Sequence, residues 1–240
     1  MRVDTVLIDL DGTLIPMEQQ AFIDAYFSDL ARFMAGYGYT DAPALLGALM
    51  RGVKAMIQND GGATNRERFW AVFCEALGEG VRAVEPALEG FYGGAFDAVR
   101  RVLDPAAAGR DVRALLALLR GENRRTVYLA TNPLFPPVAV ETRLRWIGLT
   151  PADFDGITTY ENSRYCKPNP AYYTEILERL GRPPETALMI GNNPSDDMSA
   201  LKAGLSGYLV TDYLENEYNM DIAPFRRGSF AELTAFAAGL

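Results

Sequence analysis

The sequence predicts an α/β protein in which a parallel sheet is covered by helices, with an all-helical block inserted after the first strand. One observation is that short apolar segments rich in β-branched residues alternate with helical segments after Pro105, which is typical of a parallel sheet with both faces covered. The other is that a similar apolar segment stands alone near the N-terminus. From about Glu18 to Leu103 it is followed by helical periodicity alone.

The first strand is predicted over Val3–Leu10, because this stretch is apolar and β-branched and ends at Asp11-Gly12. Four apolar stripes at helical spacing follow, separated by turn-forming or glycine-rich breaks. The stripes are Phe22, Tyr26, Leu30 and Phe33; Leu45, Leu46, Leu49, Met50, Val53, Met56 and Ile57; Phe69, Trp70, Phe73 and Leu77; and Leu88, Phe91, Tyr92, Ala95, Val99 and Val102. Four antiparallel helices with these stripes packed as a core would form a small bundle.

The second half of the chain is predicted to alternate between helices and strands. The helices are Asp111–Arg120, Pro137–Ile147, Asn169–Leu180, a segment at Ser199–Ala203, and Phe230–Ala238. The strands are Thr126–Thr131, Gly156–Tyr160, Thr186–Gly191 and Gly207–Thr211. We therefore expect residues 1–15 and 106–240 to form one α/β core and residues 16–105 to form a separate helical domain.

The composition limits the possible functions. Of 240 residues, 49% are hydrophobic and 22% are charged, which is typical of a globular protein. The chain has 31 acidic and 23 basic residues and a net charge of −8, which disfavours binding to nucleic-acid backbones. It contains no His, which excludes Ser-His-Asp catalysis, Cys-His catalysis and His-bearing metal sites. Two cysteines, Cys74 and Cys166, are too few for a disulfide framework or a Cys-rich zinc site.

No segment of the sequence is typical of membrane insertion or export. Apolar runs stay well below the length of about 18 residues that a membrane helix needs. The N-terminal apolar stretch contains two Asp residues and no small-residue cleavage pattern, unlike a signal peptide. We therefore expect a cytoplasmic protein with reduced thiols and no membrane partner.

Two carboxylates follow the first strand. In a sheet of this kind, ligands bind at the carboxyl ends of the strands. Asp9 and Asp11 are two positions apart, so their side chains face the same way along an extended backbone. Two carboxylates held close together repel each other, which costs free energy unless a cation lies between them or one of them carries a proton. Either state suits catalysis. The Asp-Gly pair alone is equally explained by a turn at Gly12.

Polar residues also follow the later strands. Thr131 and Asn132 offer a hydroxyl and a backbone N–H that can hold a phosphate oxygen. Prolines near Lys167 restrict its backbone and orient its side chain. Asp196 and Asp197 can complete an oxygen-ligand site for a hard cation such as Mg²⁺. Each of these features also has a simpler explanation when taken singly. Thr131 and Asn132 fit a turn, Lys167 fits a solvent-exposed lysine, and the two acids fit the cap of a helix N-terminus.

Taken together, these residues fall at successive strand ends in chain order. In this respect the sequence resembles the haloacid dehalogenase-like hydrolase superfamily. Four motifs of that family are matched, by Asp9–Leu14, Thr131, Lys167 and Gly191–Asp197. The resemblance covers residues 1–15 and about 106–225. It implies a Rossmann-like core, and the inserted helical block resembles the type-1 cap of that family.

The resemblance implies a Mg²⁺-dependent phosphatase that acts on a small phosphorylated metabolite. Asp9 resembles the nucleophile that forms an aspartyl-phosphate. Asp11 resembles the general acid that becomes the base for water, and an Asp at this position is the phosphatase pattern, which dehalogenase members lack. Thr131 and the Asn132 N–H would hold phosphoryl oxygens. Lys167 would neutralise charge on Asp9 and on the transferring group.

The resemblance also implies a metal site, with one departure from the family pattern. The implied ligands are Asp9, Asp11 through its carbonyl, Asn193, Asp196 and Asp197. Many family members carry Asp directly after the glycine of the last motif, whereas this chain has Asn192 and Asn193. The spacing does not decide between Asp196 and Asp197, although the expected helix start favours Asp197. Losing a carboxylate would weaken metal binding, while Asn oxygens can still serve hard cations.

Two other functions remain open at this point. One is a phosphoryl-transferring mutase, in which the aspartyl-phosphate passes to a sugar rather than to water. The other is a protein that binds a phosphorylated ligand without hydrolysing it. The missing Asp supports this binding role, and the presence of both Asp9 and Asp11 argues against it. A small phosphorylated metabolite is the expected partner, and the protein is expected to be a monomer or a homodimer.

Overall fold

The sheet of this protein has five parallel strands. A computed structural model describes residues 3–122 and 124–240. The strands are β1 (Thr5–Ile8), β2 (Thr126–Leu129), β3 (Ala187–Gly191), β4 (Ser206–Val210) and β5 (Arg227–Gly228). Their spatial order is β2-β1-β3-β4-β5, and every neighbouring pair is parallel. The predicted fold class is therefore confirmed, with β1 at the point where the strand order reverses.

Helices make up the other elements. The α-helices are α1 (Gln19–Ala35), α2 (Ala42–Ile57), α3 (Asn65–Leu77), α4 (Glu85–Gly93), α5 (Val112–Arg120), α6 (Pro137–Trp146), α7 (Pro170–Leu180) and α8 (Phe230–Ala238). The 3-10 helices are Glu79–Val84, Ala95–Val102, Pro105–Ala107, Pro151–Asp153, Pro184–Thr186 and Asp197–Ala203. Among the described residues, no helix is both long enough and apolar enough to cross a membrane.

Two predicted elements differ from the structure, and one strand of the structure was not predicted. The fourth stripe is not one helix but is divided into α4 and the 3-10 helix that starts at Ala95. The division falls at Gly93-Gly94, and glycine is a poor helix former. The segment Gly156–Tyr160 is not a strand, since it forms a single bridge between Ile157 and Leu129. The short strand β5 was not predicted, because two paired residues leave no periodic pattern.

Several helix starts follow from side chains that cap free backbone N–H groups. Thr64 and Glu67 form a reciprocal capping box at the start of α3, and Ser229 forms the same arrangement before α8. Asp111 and Asn169 cap α5 and α7 with their side-chain oxygens. These caps explain why the predicted starts at positions 111 and 169 lie one residue outside the observed helices.

Alternate residues of the strands divide the core between the two faces of the sheet. Val6 and Ile8 of β1 lie in a large apolar cluster that continues into the helical block, whereas Leu7 lies in a second cluster with residues of α7. All three side chains are fully buried. This two-residue period is why a continuous apolar run predicts a strand covered on both faces.

The helical block is joined to the sheet domain by buried polar contacts. Asn65, at the start of α3, donates through Nδ2 to the Pro133 carbonyl, the Tyr165 carbonyl and the Cys166 Sγ, each at 3.3 Å. Its Oδ1 accepts from the Asn59 side chain at 2.9 Å. One side chain thus connects α3 to the loops that follow β2 and precede α7.

We expect Asn65→Ala to lower the free energy of unfolding by about 1–3 kcal/mol, because it leaves buried polar groups without a partner. Urea-induced unfolding would measure the change. Gln58→Ala is the matched control, since Gln58 is exposed in the same block, and we expect a change within about 0.5 kcal/mol. Equal losses in the two variants would contradict the role of Asn65.

Candidate active site

The side chains at the strand ends surround one cavity of about 110 Å³. All eight residues proposed from the sequence line it: Asp9, Asp11, Thr131, Asn132, Lys167, Asn193, Asp196 and Asp197. Asp9 directly follows β1, and its N–H donates to the Ile190 carbonyl at 2.9 Å, which continues the pairing with β3. The chain then turns at Gly12, where φ is +74° and a Cβ atom would lie 2.2 Å from the Asn192 amide.

Lys167 is the central charge of the cavity. Its Nζ donates to Asp9 Oδ1 at 2.7 Å and to Asp197 Oδ1 at 2.6 Å, and its side chain is 2% exposed. Burial alone would lower the pKa of Lys167, but Asp197 and Asp9 outweigh it and raise that pKa well above its usual value. The lysine is therefore charged, and it compensates two buried carboxylates at once.

Both carboxylate oxygens of Asp197 accept hydrogen bonds from other protein groups. Its Oδ1 accepts from Lys167 and its Oδ2 accepts from the Asn193 N–H at 2.9 Å. Asp196 is half-buried, and its Oδ2 accepts a long bond of 3.4 Å from the Asn132 side chain. Of these two acids, Asp196 therefore has the less committed carboxylate.

Asn132 supports the residues around it. Its Oδ1 accepts from the Lys167 N–H at 3.3 Å, and its Nδ2 makes the contact with Asp196. Thr131 precedes it and is 2% exposed. The Thr131 carbonyl accepts from the hydroxyls of Thr158 and Tyr172, at 2.6 and 2.9 Å. The segment after β2 is thus fixed by hydrogen bonds on the side away from the cavity.

The two asparagines of the last motif make structural contacts. Asn192 donates through Nδ2 to the Tyr213 carbonyl at 2.6 Å and accepts through Oδ1 from the Thr13 hydroxyl at 3.2 Å. Asn193 accepts through Oδ1 from the N–H groups of Ser195 and Asp196, both at 2.9 Å. The Asn192 amide therefore connects two loops at the cavity, while the Asn193 oxygen stabilises the turn of its own loop.

Sequence reasoning missed Arg143, which lies on α6 and is 1% exposed. Its Nη1 donates to Asp11 Oδ2, and its guanidinium lies 4.5 Å from the centre of the Phe135 ring. Within the described part of the chain, Nη2 of Arg143 and Oδ1 of Asp11 are buried and without hydrogen-bond partners. The available signal was a charge on the apolar face of a helix, one turn after Ala139.

Burial raises the pKa of Asp11. The Arg143 charge opposes this shift and the Asp9 charge adds to it. A raised pKa allows a carboxyl group to carry a proton at higher pH, which general acid catalysis requires. Asp11 and Asp9 therefore lie in different electrostatic settings: Arg143 contacts the first, and Lys167 contacts the second.

Glu215 is a second residue that the sequence analysis missed. It lies in the loop after β4, lines the cavity, and donates its backbone N–H to the Asn192 carbonyl at 3.1 Å. Burial raises the pKa of Glu215 to about 6; a hydrogen bond with Asn193 opposes this shift, and the charges of Asp196 and Asp9 add to it. The signal for it in the sequence is an acidic residue shortly after the end of β4, at the same edge of the sheet as the other polar groups.

The donor atoms at this edge suit a small hard cation. Asp9, Asp196 and Glu215 offer carboxylate oxygens; burial raises the pKa values of Asp196 and Glu215, and the charge of Asp9 adds to both shifts. In residues 3–122 and 124–240, no three acidic, His or Cys side chains are grouped closely enough to form a metal site by themselves. Mg²⁺ usually takes one or two carboxylates and completes its shell with water and substrate phosphate, so these residues fit it.

Comparison with curated proteins finds relatives over parts of the chain. Haloacid dehalogenase-like hydrolase domain-containing protein 3 of Danio rerio is 33% identical over 86 residues, which is 35% of each chain. Glyceraldehyde 3-phosphate phosphatase of Methanothermobacter thermautotrophicus is 37% identical over 62 residues, 25% of this chain and 27% of that protein. The matched segments thus span about a third of these relatives, or less.

Solved structures share the fold over nearly the whole chain. A HAD phosphatase from Thermococcus onnurineus has a TM-score of 0.59 at 21% identity, with 100% of this chain and 99% of that chain covered. L-2-haloacid dehalogenase from Xanthobacter autotrophicus has a TM-score of 0.56 at 19% identity, with 99% of both chains covered. YfnB from Bacillus subtilis, bound to magnesium, has a TM-score of 0.56 at 22% identity, also with 99% of both covered.

The family itself follows from the sequence. The profile of the haloacid dehalogenase-like hydrolases matches residues 3–204, which include all the motif residues at the strand ends. Together with the parallel sheet and the single cavity that those residues share, this match shows that the chain belongs to the haloacid dehalogenase-like hydrolases.

Proposed function

We propose that this hydrolase is a Mg²⁺-dependent phosphatase that cleaves a small phosphate monoester through an aspartyl-phosphate on Asp9. The observation that carries the proposal is the pairing of two carboxylates with two buried cations around one cavity. Lys167 contacts Asp9, and Arg143 contacts Asp11. Lys167 thereby lies where it can compensate charge on the nucleophile, while Asp11 lies where it can transfer a proton.

In the first step, a carboxylate oxygen of Asp9 attacks phosphorus and the bond to the ester oxygen breaks. The Thr131 hydroxyl and the Asn132 N–H hold phosphoryl oxygens, while Lys167 compensates the negative charge. Asp11 gives its proton to the departing alkoxide. In the second step, Asp11 takes a proton from water, whose oxygen attacks phosphorus and releases Asp9 and inorganic phosphate. Asp9, the Asp11 carbonyl and Asp196 would hold Mg²⁺ together with water and the substrate phosphate, and the ion would supply further charge neutralisation.

Two features favour phosphatase over dehalogenase chemistry. Asp11 offers a proton to a leaving oxygen, and a departing halide needs no such proton. Two of the similar proteins described above are named phosphatases, one of which is named for glyceraldehyde 3-phosphate. Magnesium binding in YfnB supports the same metal here.

We also propose that residues 1–15 and 106–240 act as the catalytic core and residues 16–105 as its cap. The elements between β1 and the 3-10 helix at Pro105 are all helical, which supports this division. Residues of α1, such as Gln19 and Phe22, line the cavity together with the strand ends. A cytoplasmic location stays a prediction from the sequence.

Replacing the nucleophile is the direct test of the proposed function. We expect Asp9→Asn to abolish release of inorganic phosphate from a panel of phosphate monoesters, because an amide cannot displace the leaving group. EDTA should abolish release by the unaltered protein, and added Mg²⁺ should restore it. Asp24→Asn, at an exposed position on α1, is the matched control and should keep full activity. Unchanged turnover in Asp9→Asn would refute the mechanism.

The role of Asp11 predicts a dependence on the leaving group. We expect Asp11→Asn to slow hydrolysis of alkyl phosphates by about 100- to 10,000-fold, and that of activated aryl phosphates much less, since only a basic alkoxide needs the proton. Plotting log kcat/KM against the pKa of the leaving alcohol would measure this, with a steeper negative slope for the variant. Equal slowing for every ester would contradict the acid role.

Arg143 is proposed as a positioning residue for Asp11. We expect Arg143→Gln to reduce kcat/KM by about 10- to 100-fold, because Asp11 loses the contact that orients it. The Arg143 charge lowers the pKa of Asp11, so its removal raises that pKa. The acid form of Asp11 then persists to higher pH, so the alkaline limb of the kcat/KM profile shifts to higher pH.

Arg143→Lys is the control for this prediction, since it keeps the charge and should return the alkaline limb toward its original position. If Arg143→Gln lowers the rate while the alkaline limb stays in place, Arg143 has a role in folding rather than in positioning Asp11.

A further inference from the structure

A second cavity of about 360 Å³ lies among the cap helices, beside the catalytic cavity. Its walls are largely aliphatic and aromatic. Residues from α2, α3 and α4 contribute, among them Leu45, Leu49, Phe69, Trp70, Phe73 and Leu88. Most of these side chains belong to the apolar stripes from which the helices were predicted. The stripes therefore pack together in the apolar cluster of the helical block and also line this space.

The two cavities share a wall. Gln19, Phe22, Leu134 and Phe135 line both. Phe22 and Phe135 are in edge contact at 6.1 Å between ring centres, and the Arg143 guanidinium lies over the Phe135 ring. A molecule with its phosphate at Asp9 would therefore extend past these two rings into the cap.

The size of the cap cavity is not explained by packing. Protein interiors are close-packed, and an apolar void destabilises the fold in proportion to its volume. A cavity of 360 Å³ is within the range of pockets that hold small organic ligands. The cavity therefore has the size and the apolar lining of a ligand site.

Polar groups are few along the cavity, and of those on its wall Trp70 Nε1 is buried without a hydrogen-bond partner among the described residues. The hydroxyls of Tyr26 and Tyr92 are hydrogen-bonded at 2.7 Å, and Glu85 pairs with Arg66 at 2.6 Å. Placing the hydroxyls of a sugar or polyol here would remove them from water with few partners, which costs free energy for each group. A hydrocarbon group has no such cost and gains from burial.

We propose that the substrate is the phosphate monoester of an apolar alcohol, whose alkyl or aryl group occupies the cap cavity while its phosphate lies at Asp9. This inference rests on the proposed function. Hydrolysis would then give the apolar alcohol and inorganic phosphate, with water as the only co-reactant. The cap selects the ester by the apolar surface that it buries.

Binding of alkylphosphonates tests the proposal without turnover, because their carbon–phosphorus bond cannot be hydrolysed by this mechanism. We expect calorimetric affinity to rise by about fourfold per methylene group from ethyl- to hexylphosphonate. Hexylphosphonate should bind at least about tenfold more tightly than 3,4-dihydroxybutylphosphonate, which has the same number of non-hydrogen atoms but two hydroxyls. Affinity independent of chain length, or preference for the dihydroxy compound, would overturn the proposal.

A variant that fills the cavity locates the binding site. Leu88 lines the cavity, and we expect Leu88→Trp to remove the gain with chain length while affinity for ethylphosphonate is kept. Ile57→Trp is the matched control, because Ile57 is an exposed cap residue outside the cavity wall. If Leu88→Trp leaves the dependence on chain length unchanged, the alkyl group binds elsewhere and the proposal is wrong.

Phosphate release separates this proposal from the proposed function. Release from several esters together with flat phosphonate affinities would refute the apolar substrate and leave the phosphatase intact. Chain-length-dependent affinity without release from any ester, hexyl phosphate included, would refute the phosphatase while the apolar ligand stands.

Discussion

The structure depends on how negative charge is compensated at the carboxyl edge of the sheet. Asp9, Asp11, Asp196, Asp197 and Glu215 all reach one cavity, and such a group of carboxylates opposes folding unless cations lie beside it. Two buried side chains supply them: Lys167 bridges Asp9 and Asp197, while Arg143 pairs with Asp11. Catalytic capacity and stability therefore depend on the same contacts.

Much of this arrangement could be predicted from the sequence because it follows from short-range geometry. An apolar strand followed by two carboxylates at alternate positions places both on one side, and parallel strands bring their carboxyl ends to one edge. Thr131 was identified by the same reasoning, whereas Lys167 was identified from the prolines near it and from the resemblance to the family. All of these residues line one cavity.

Arg143 and the cap cavity were missed because both depend on packing between distant segments. Arg143 reaches Asp11 across 132 positions of sequence, and nothing in the spacing of α6 indicates that its buried charge meets the turn after β1. The apolar stripes of the cap predicted helices, but periodicity identifies a buried face without telling whether that face meets another side chain or a cavity. The distinction between core and cavity wall arises only when the helices are assembled.

Asn192 has a consequence for how this chain can vary. Its side-chain N–H₂ donates to the Tyr213 carbonyl, and its oxygen accepts from Thr13, so it joins the loops that follow β1 and β4. An aspartate at this position would present oxygen to oxygen at 2.6 Å and lose the donor. A single substitution therefore cannot restore the more common acidic motif without displacing the loop that carries Glu215. The residue at position 192 and the conformation of the loop after β4 are therefore coupled through one amide group.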